Sequence, residues 1–116
     1  MENILCEYSD KIDIKKTTIK VNDIKERFKG PGIGPHNVSF VLVSIMKEAS
    51  KLKKLTGSEK KNLVTRLLGY LIEELVPDGK EELEHILKAM VPSLIDNIID
   101  IGKTKTFKKS MRLLCF

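Results

Sequence analysis

The chain has 116 residues, enough for one domain with a single modest core and too few for two. Hydrophobic residues make up 41% and charged residues 32%, with no tryptophan, an aliphatic and lysine–glutamate-rich mixture that favours a soluble helical protein. The net charge is +5, yet all 16 acidic residues and 16 of the 21 basic ones precede residue 103, so residues 1–102 are formally neutral and the body is not built as a basic nucleic-acid platform.

In chain order, the start lacks a basic region followed by an apolar stretch, so no secretory signal is expected, and no run reaches the roughly 18 apolar residues of a spanning helix. With no export signal, Cys6 and Cys115 are expected as reduced thiols in a cytoplasmic or nuclear protein. Residues 11–21 put Ile12 and Ile14 on one parity and Ile19 and Val21 on the other, which predicts a short bulged strand or an extended arm docked on helices. Asn22 or Asp23 then caps a short helix carrying Ile24 and Phe28, ended by Gly30. The stretch "GPGIGP", residues 30–35, fits neither the Walker loop nor the dinucleotide fingerprint, and its two prolines remove N–H groups that a phosphate cradle needs; it is expected as a structural linker. His36 beside it has no partner at ligand spacing.

The remainder carries a helical period. A first helix is predicted from 37 or 39 to 55, with Val38, Val41, Leu42, Ile45, Met46, Ala49 and Leu52 on one face. Gly57 closes it and Ser58 caps the next, over 59–76, burying Leu63, Val64, Leu67, Leu68, Leu71, Ile72 and Leu75. Pro77, Asp78 and Gly79 force a turn into a helix over 80–91 with Leu83, Ile86, Leu87 and Met90 on one face. Pro92 is placed to start a separate helix over 92–101, apolar nearly all round and so expected to be either the most buried element or half of an oligomer interface. The expectation is an all-α fold: a compact bundle of about four antiparallel helices (37–102), preceded by an irregular N-terminal arm and linker (1–36) and followed by a basic tail (103–116).

Charge is polarised along this body. Residues 47–66 carry a local excess of +5 and residues 73–100 an excess of −6, a pattern of solvated helix faces or of head-to-tail self-association. Lys53, Lys54, Lys60 and Lys61 cluster around the start of the second bundle helix and are candidates for gripping phosphate or an acidic partner surface, with solvated lysines offset by Glu59 as the alternative.

The stretch Leu55-Thr56-Gly57-Ser58-Glu59-Lys60-Lys61 with Leu63-Val64, and the later Val91-Pro92-Ser93-Leu94-Ile95-Asp96 with Ile98-Ile99, resembles a group of small helical proteins encoded by large nucleocytoplasmic DNA viruses. The resemblance spans residues 38–102, rests on helix boundaries, and brings no activity with it. It implies a viral protein of the infected cell or the virion.

No enzyme is expected. Two unpartnered histidines and two distant cysteines offer no triad, and adjacent carboxylates such as Glu73-Glu74 and Glu81-Glu82 point about 100° apart on a helix. Ligand spacings for zinc or calcium are missing from the sequence, and no cofactor is implied. The tail, "KTKTFKKSMRLLCF", is the main candidate site. As a helix it sets Phe107, Met111 and Leu114 on one side with Lys105, Lys108, Lys109 and Arg112 around them, and Cys115 lies behind the basic residues as a palmitoylation candidate. Two readings stand: an anchor on an anionic membrane, capsid or partner surface, or a terminal helix packed on the bundle. The function expected is therefore a structural or interaction protein with protein partners or self-association. The alternative is an accessory nucleic-acid binder, a weaker reading because stacking aromatics are scarce.

Overall fold

The computed structural model describes residues 1–102, with the backbone alone at Ile101 and Gly102. Five helices make up the described chain: α1 (Glu2–Cys6), α2 (Ile14–Lys29), α3 (Val38–Ser50), α4 (Gly57–Leu75) and α5 (Glu81–Gly102). The all-α expectation holds, and no strand occurs among the described residues.

Residues 11–21 correct the arm reading. Residues 14–21 form the first half of α2, opened by Asp13, whose side chain accepts from the Lys16 N–H at 3.1 Å. What looked like a change of strand parity is the helical spacing Ile14, Thr17, Val21, Ile24, Phe28, all on one face. Thr17, Thr18 and Ile19 lower helix propensity by only a few tenths of a kcal/mol each. Burial of Val21 and Ile24 at 2% and 1% exposure outweighs that. Ile19 falls on the opposite side and stays 54% exposed.

The first 36 residues are thus part of the fold. Leu5, Tyr8, Val21, Ile24 and Ile33 belong to the same apolar core as the later helices. The Gly/Pro loop is packed into that core as well. Gly32 takes φ +71°, the Ile33 N–H donates to the Leu75 carbonyl at 3.1 Å, and the Ile33 side chain is buried. Asn37, also buried, locks the loop: its Nδ2 donates to the Gly32 carbonyl at 2.7 Å and its Oδ1 accepts from the Gly34 N–H at 2.9 Å.

α3 ends at Ser50, earlier than expected, and turns carry the chain through Leu52 to the buried Leu55. The start of α4 is also set differently. Thr56, not Ser58, is the N-cap, because Thr56 and Glu59 complete a capping box: Thr56 Oγ1 accepts from the Glu59 N–H and Glu59 Oε1 accepts from the Thr56 N–H. Gly57 then becomes the first residue of α4.

α5 is a single 22-residue helix that runs through Pro92, where two helices were expected. An internal proline costs a helix about 3 kcal/mol. Here Pro92 lies on the exposed side, while Leu87, Val91 and Ile95 on both sides of it are each 2% exposed or less. Burial of those three outweighs the break. The 92–101 stretch is correspondingly not the most buried element. That place belongs to α4, which packs against all four other helices and buries Leu63, Val64, Leu67, Leu68, Leu71, Ile72 and Leu75.

Candidate functional site

The 19 residues of α4 span about 28 Å and separate two ends of opposite charge. At its start lie Lys47 and Lys51 from the close of α3, with Lys53 and Lys54 in the connecting turns. At its finish lie Glu73, Glu74 and Asp78, joined by Glu81, Glu82 and Glu84 from the first turn of α5. Two ion pairs fix α5 antiparallel to α4: Lys88 with Glu73 near the acidic end, and Lys61 with Asp96, 2.5 Å apart, near the basic end. α5 therefore finishes at the basic end.

Further pairs commit body charge to tertiary structure. Arg66 pairs with Glu7, and Lys11 with Glu59 at 2.5 Å, tying the N-terminal segment to α4. Lys25 lies 3.3 Å from the Tyr70 hydroxyl, 3.9 Å from a Glu74 oxygen and 5.5 Å from the Tyr70 ring centre. Donation to Tyr70 raises the Lys25 pKa, and donation to Glu73 raises that of Lys88.

Glu59 is the most engaged carboxylate. Its hydrogen bond from Lys11, then that from the Thr56 N–H, lowers its pKa from the ordinary value. A carboxylate with a depressed folded-state pKa stabilises the fold above its unfolded value and loses that contribution as pH falls through the folded one. Acid titration is expected to weaken wild-type protein below about pH 4.5, with Glu59→Gln showing a shallower loss of thermal stability over the same window. Equal acid sensitivity in the two proteins counts against this assignment.

The four lysines of the sequence-derived cluster do not converge. Lys53 and Lys54 are exposed. Lys60 is 8% exposed and turns back onto the C-terminal carbonyls of α3, its Nζ 3.4 Å from the Ser50 oxygen, where the helix dipole favours a cation. Lys61 is paired with Asp96. The tail residues Lys105, Phe107, Lys108, Lys109, Met111, Arg112, Leu114 and Cys115 lie outside the described residues.

A cleft of 340 Å³ between α2, α3 and α4 was not read from sequence. Val21, Ile24, Ile45, Ala49, Leu63 and Leu67 form its apolar floor, and Lys16, Lys20 and Lys51 stand among its rim residues. Two carboxylates share the rim but are engaged locally, Asp13 in capping α2 and Glu48 in pairing with Lys51 at 3.4 Å. Lys16 and Lys20 make no ion pair among the described residues. The signal was present in the spacing Lys16–Lys20 beside Thr17–Val21–Ile24, but only a helical reading of residues 14–29 brings those rows to one groove. An apolar floor with a cationic edge suits an apolar side chain flanked by acidic groups.

Outside the cleft, Ile86 and Met90 are 51% and 41% exposed and sit one turn apart on α5. Phe40, at 69%, is a further exposed apolar side chain, on α3. Cys6, His36 and His85 are exposed, and no group of histidine, cysteine and carboxylate residues able to hold a metal occurs among the described residues. No helix of the described residues is long and apolar enough to cross a membrane.

Among the described residues, fold and surfaces together define a five-helix all-α body with oppositely charged ends, an apolar cleft and exposed apolar side chains on α5. No family model, curated protein or solved structure matches the chain.

Proposed function

We propose that this is a non-enzymatic structural or interaction protein whose helical body binds protein partners and whose basic tail docks on an anionic membrane or capsid surface. The observation that carries this reading is the segregation of charge. The body sums to zero and commits several of its charges to tertiary ion pairs, whereas the last 14 residues add five positive charges and no negative one. Near an anionic lipid surface each such charge contributes about 1 kcal/mol, and Phe107, Met111 and Leu114 add apolar burial. The body's contribution is the lysine-edged cleft, which fits an acidic segment carrying one or two apolar side chains. The viral resemblance of residues 38–102 supports a setting in an infected cell or a virion.

Flotation tests the tail. Full-length protein is expected to float with phosphatidylserine-containing vesicles and not with pure phosphatidylcholine, and protein ending at Gly102 with neither. Flotation that survives removal of the tail defeats the reading, and so does a shortened protein that no longer folds, since the tail is then a packed structural element. Duplex DNA tests the rival. Contacts from five basic residues predict a fall of about 500-fold in affinity between roughly 50 and 200 mM salt, whereas firm binding at physiological salt favours the nucleic-acid reading.

A further inference from the structure

The lysine-edged cleft between α2, α3 and α4 is shaped and charged for one kind of segment. We propose that it binds a short acidic amphipathic helix of a partner protein, with two apolar side chains one turn apart entering the cleft and two carboxylates one turn apart meeting Lys16 and Lys20. This rests on the reading of the body as a protein-binding module and narrows it to one surface and one segment chemistry.

The apolar part sets how much of the partner enters. Each row of the floor is about one helical turn long: Val21 and Ile24 on α2, Ile45 and Ala49 on α3, Leu63 and Leu67 on α4. These six are each 3% exposed or less, so the slot is narrow, and it opens beside the half-buried Thr17 and Leu52. Its 340 Å³ matches about eleven waters at about 30 Å³ each in the liquid. That is room for two leucine-sized side chains and not for a long apolar face.

Charge sets the flank. Lys16 and Lys20 stand about 6 Å apart along the axis of α2, and neither makes an ion pair among the described residues. Of the other charged groups lining the cleft, Asp13 accepts the Lys16 N–H in capping α2, and Glu48 pairs with Lys51. Three lysines against two locally engaged carboxylates leave the rim cationic. Carboxylates four residues apart on a helix repeat at the same spacing of about 6 Å, so one edge of a partner helix meets both free lysines at once. Residues 103–116 of this chain contain no acidic residue and lack that complement.

Backbone chemistry selects a helix over an extended strand. All three walls are helices, whose backbone groups are paired within themselves, so the cleft has no sheet edge to offer. An extended segment would find no partner there for its own N–H and C=O groups, whereas a helix satisfies its backbone internally and presents only side chains.

The probe is a capped, alanine-based helical peptide with two leucines and two glutamates at these spacings, titrated into isotope-labelled full-length protein and followed by amide chemical shifts. Shifts are expected along α2 and the end of α3, with a dissociation constant on the order of 100 µM at low salt, about threefold weaker when salt rises from roughly 50 to 500 mM. Lys16→Glu with Lys20→Glu, both at exposed positions, is expected to weaken binding about tenfold at low salt with the helical circular-dichroism spectrum retained. Thr17→Phe, which blocks the mouth and leaves every charge in place, is expected to weaken it several-fold at either salt. No binding, equal binding by peptides with alanine for leucine or lysine for glutamate, or indifference to both sets of variants overturns the proposal. Dodecanoate moving these amides where the peptide does not would assign the cleft to an anionic amphiphile, and concentration-dependent shifts in the protein alone would assign it to a second copy; either result overturns the helical partner. A peptide that binds but moves amides elsewhere defeats the cleft assignment and leaves the protein-binding reading standing. Vesicle flotation reads the tail separately.

Discussion

Gly32→Ala is expected to destabilise the protein by about 3 kcal/mol, in chemical denaturation followed by far-ultraviolet circular dichroism. The backbone at Gly32 takes φ +71°, where a side chain costs about 1–2 kcal/mol. A Cβ there would also sit 2.9 Å from the Leu75 carbonyl oxygen, a backbone atom at the end of α4 that cannot rotate aside. That carbonyl accepts the Ile33 N–H, and the Gly32 carbonyl accepts from buried Asn37, so any shift that relieves the contact strains hydrogen bonds on both sides. Gly30→Ala is the control, since a Cβ there meets nothing within 4 Å. Equal effects at the two glycines would show that the loop is a spacer and not a lock.

This loop shows where sequence reading stops. The density of glycine and proline in residues 30–35 marks a break correctly, because those residues restrict φ in known ways. Nothing in the spacing says that Ile33 faces inward or that the carbonyl at residue 75 will receive its N–H, since that contact joins positions 42 residues apart. The same distinction separates the other outcomes. The faces of α3 and α4 were legible because their apolar residues recur at three and four over several turns, and the same residues are buried. α2 was misread over its first half because β-branched residues in a short window satisfy a strand pattern as well as a helical one. The deciding fact, a core waiting for Val21 and Ile24, is tertiary. Pro92 misled in the opposite direction: the local rule predicts a break, and packing on α4 overrides it. For the sites, the acidic and basic ends could be counted along the chain. The cleft could not, since it depends on placing α2 beside α3 and α4.

The largest loss of stability is expected from Leu68→Ala, about 3–5 kcal/mol, against less than about 2 kcal/mol for Ile99→Ala. Sequence alone points the other way, because the stretch 92–101 reads as a helix apolar nearly all round and α4 carries Lys60, Lys61, Arg66, Glu73 and Glu74 among its leucines. The structure reverses that order through position. α4 packs against all four other helices, and Leu68 is fully buried at its middle, so truncation leaves a cavity whose walls are held by several elements and relax little. Ile99 is half-buried near the end of α5, packed against the edge of the core and close to where the described chain stops. A truncation there exposes neighbours to water without enclosing a void, and the helix end can adjust. Paired urea titrations compare the two variants directly. Ile99→Ala losing as much as Leu68→Ala would place α5, and not α4, at the centre of the fold.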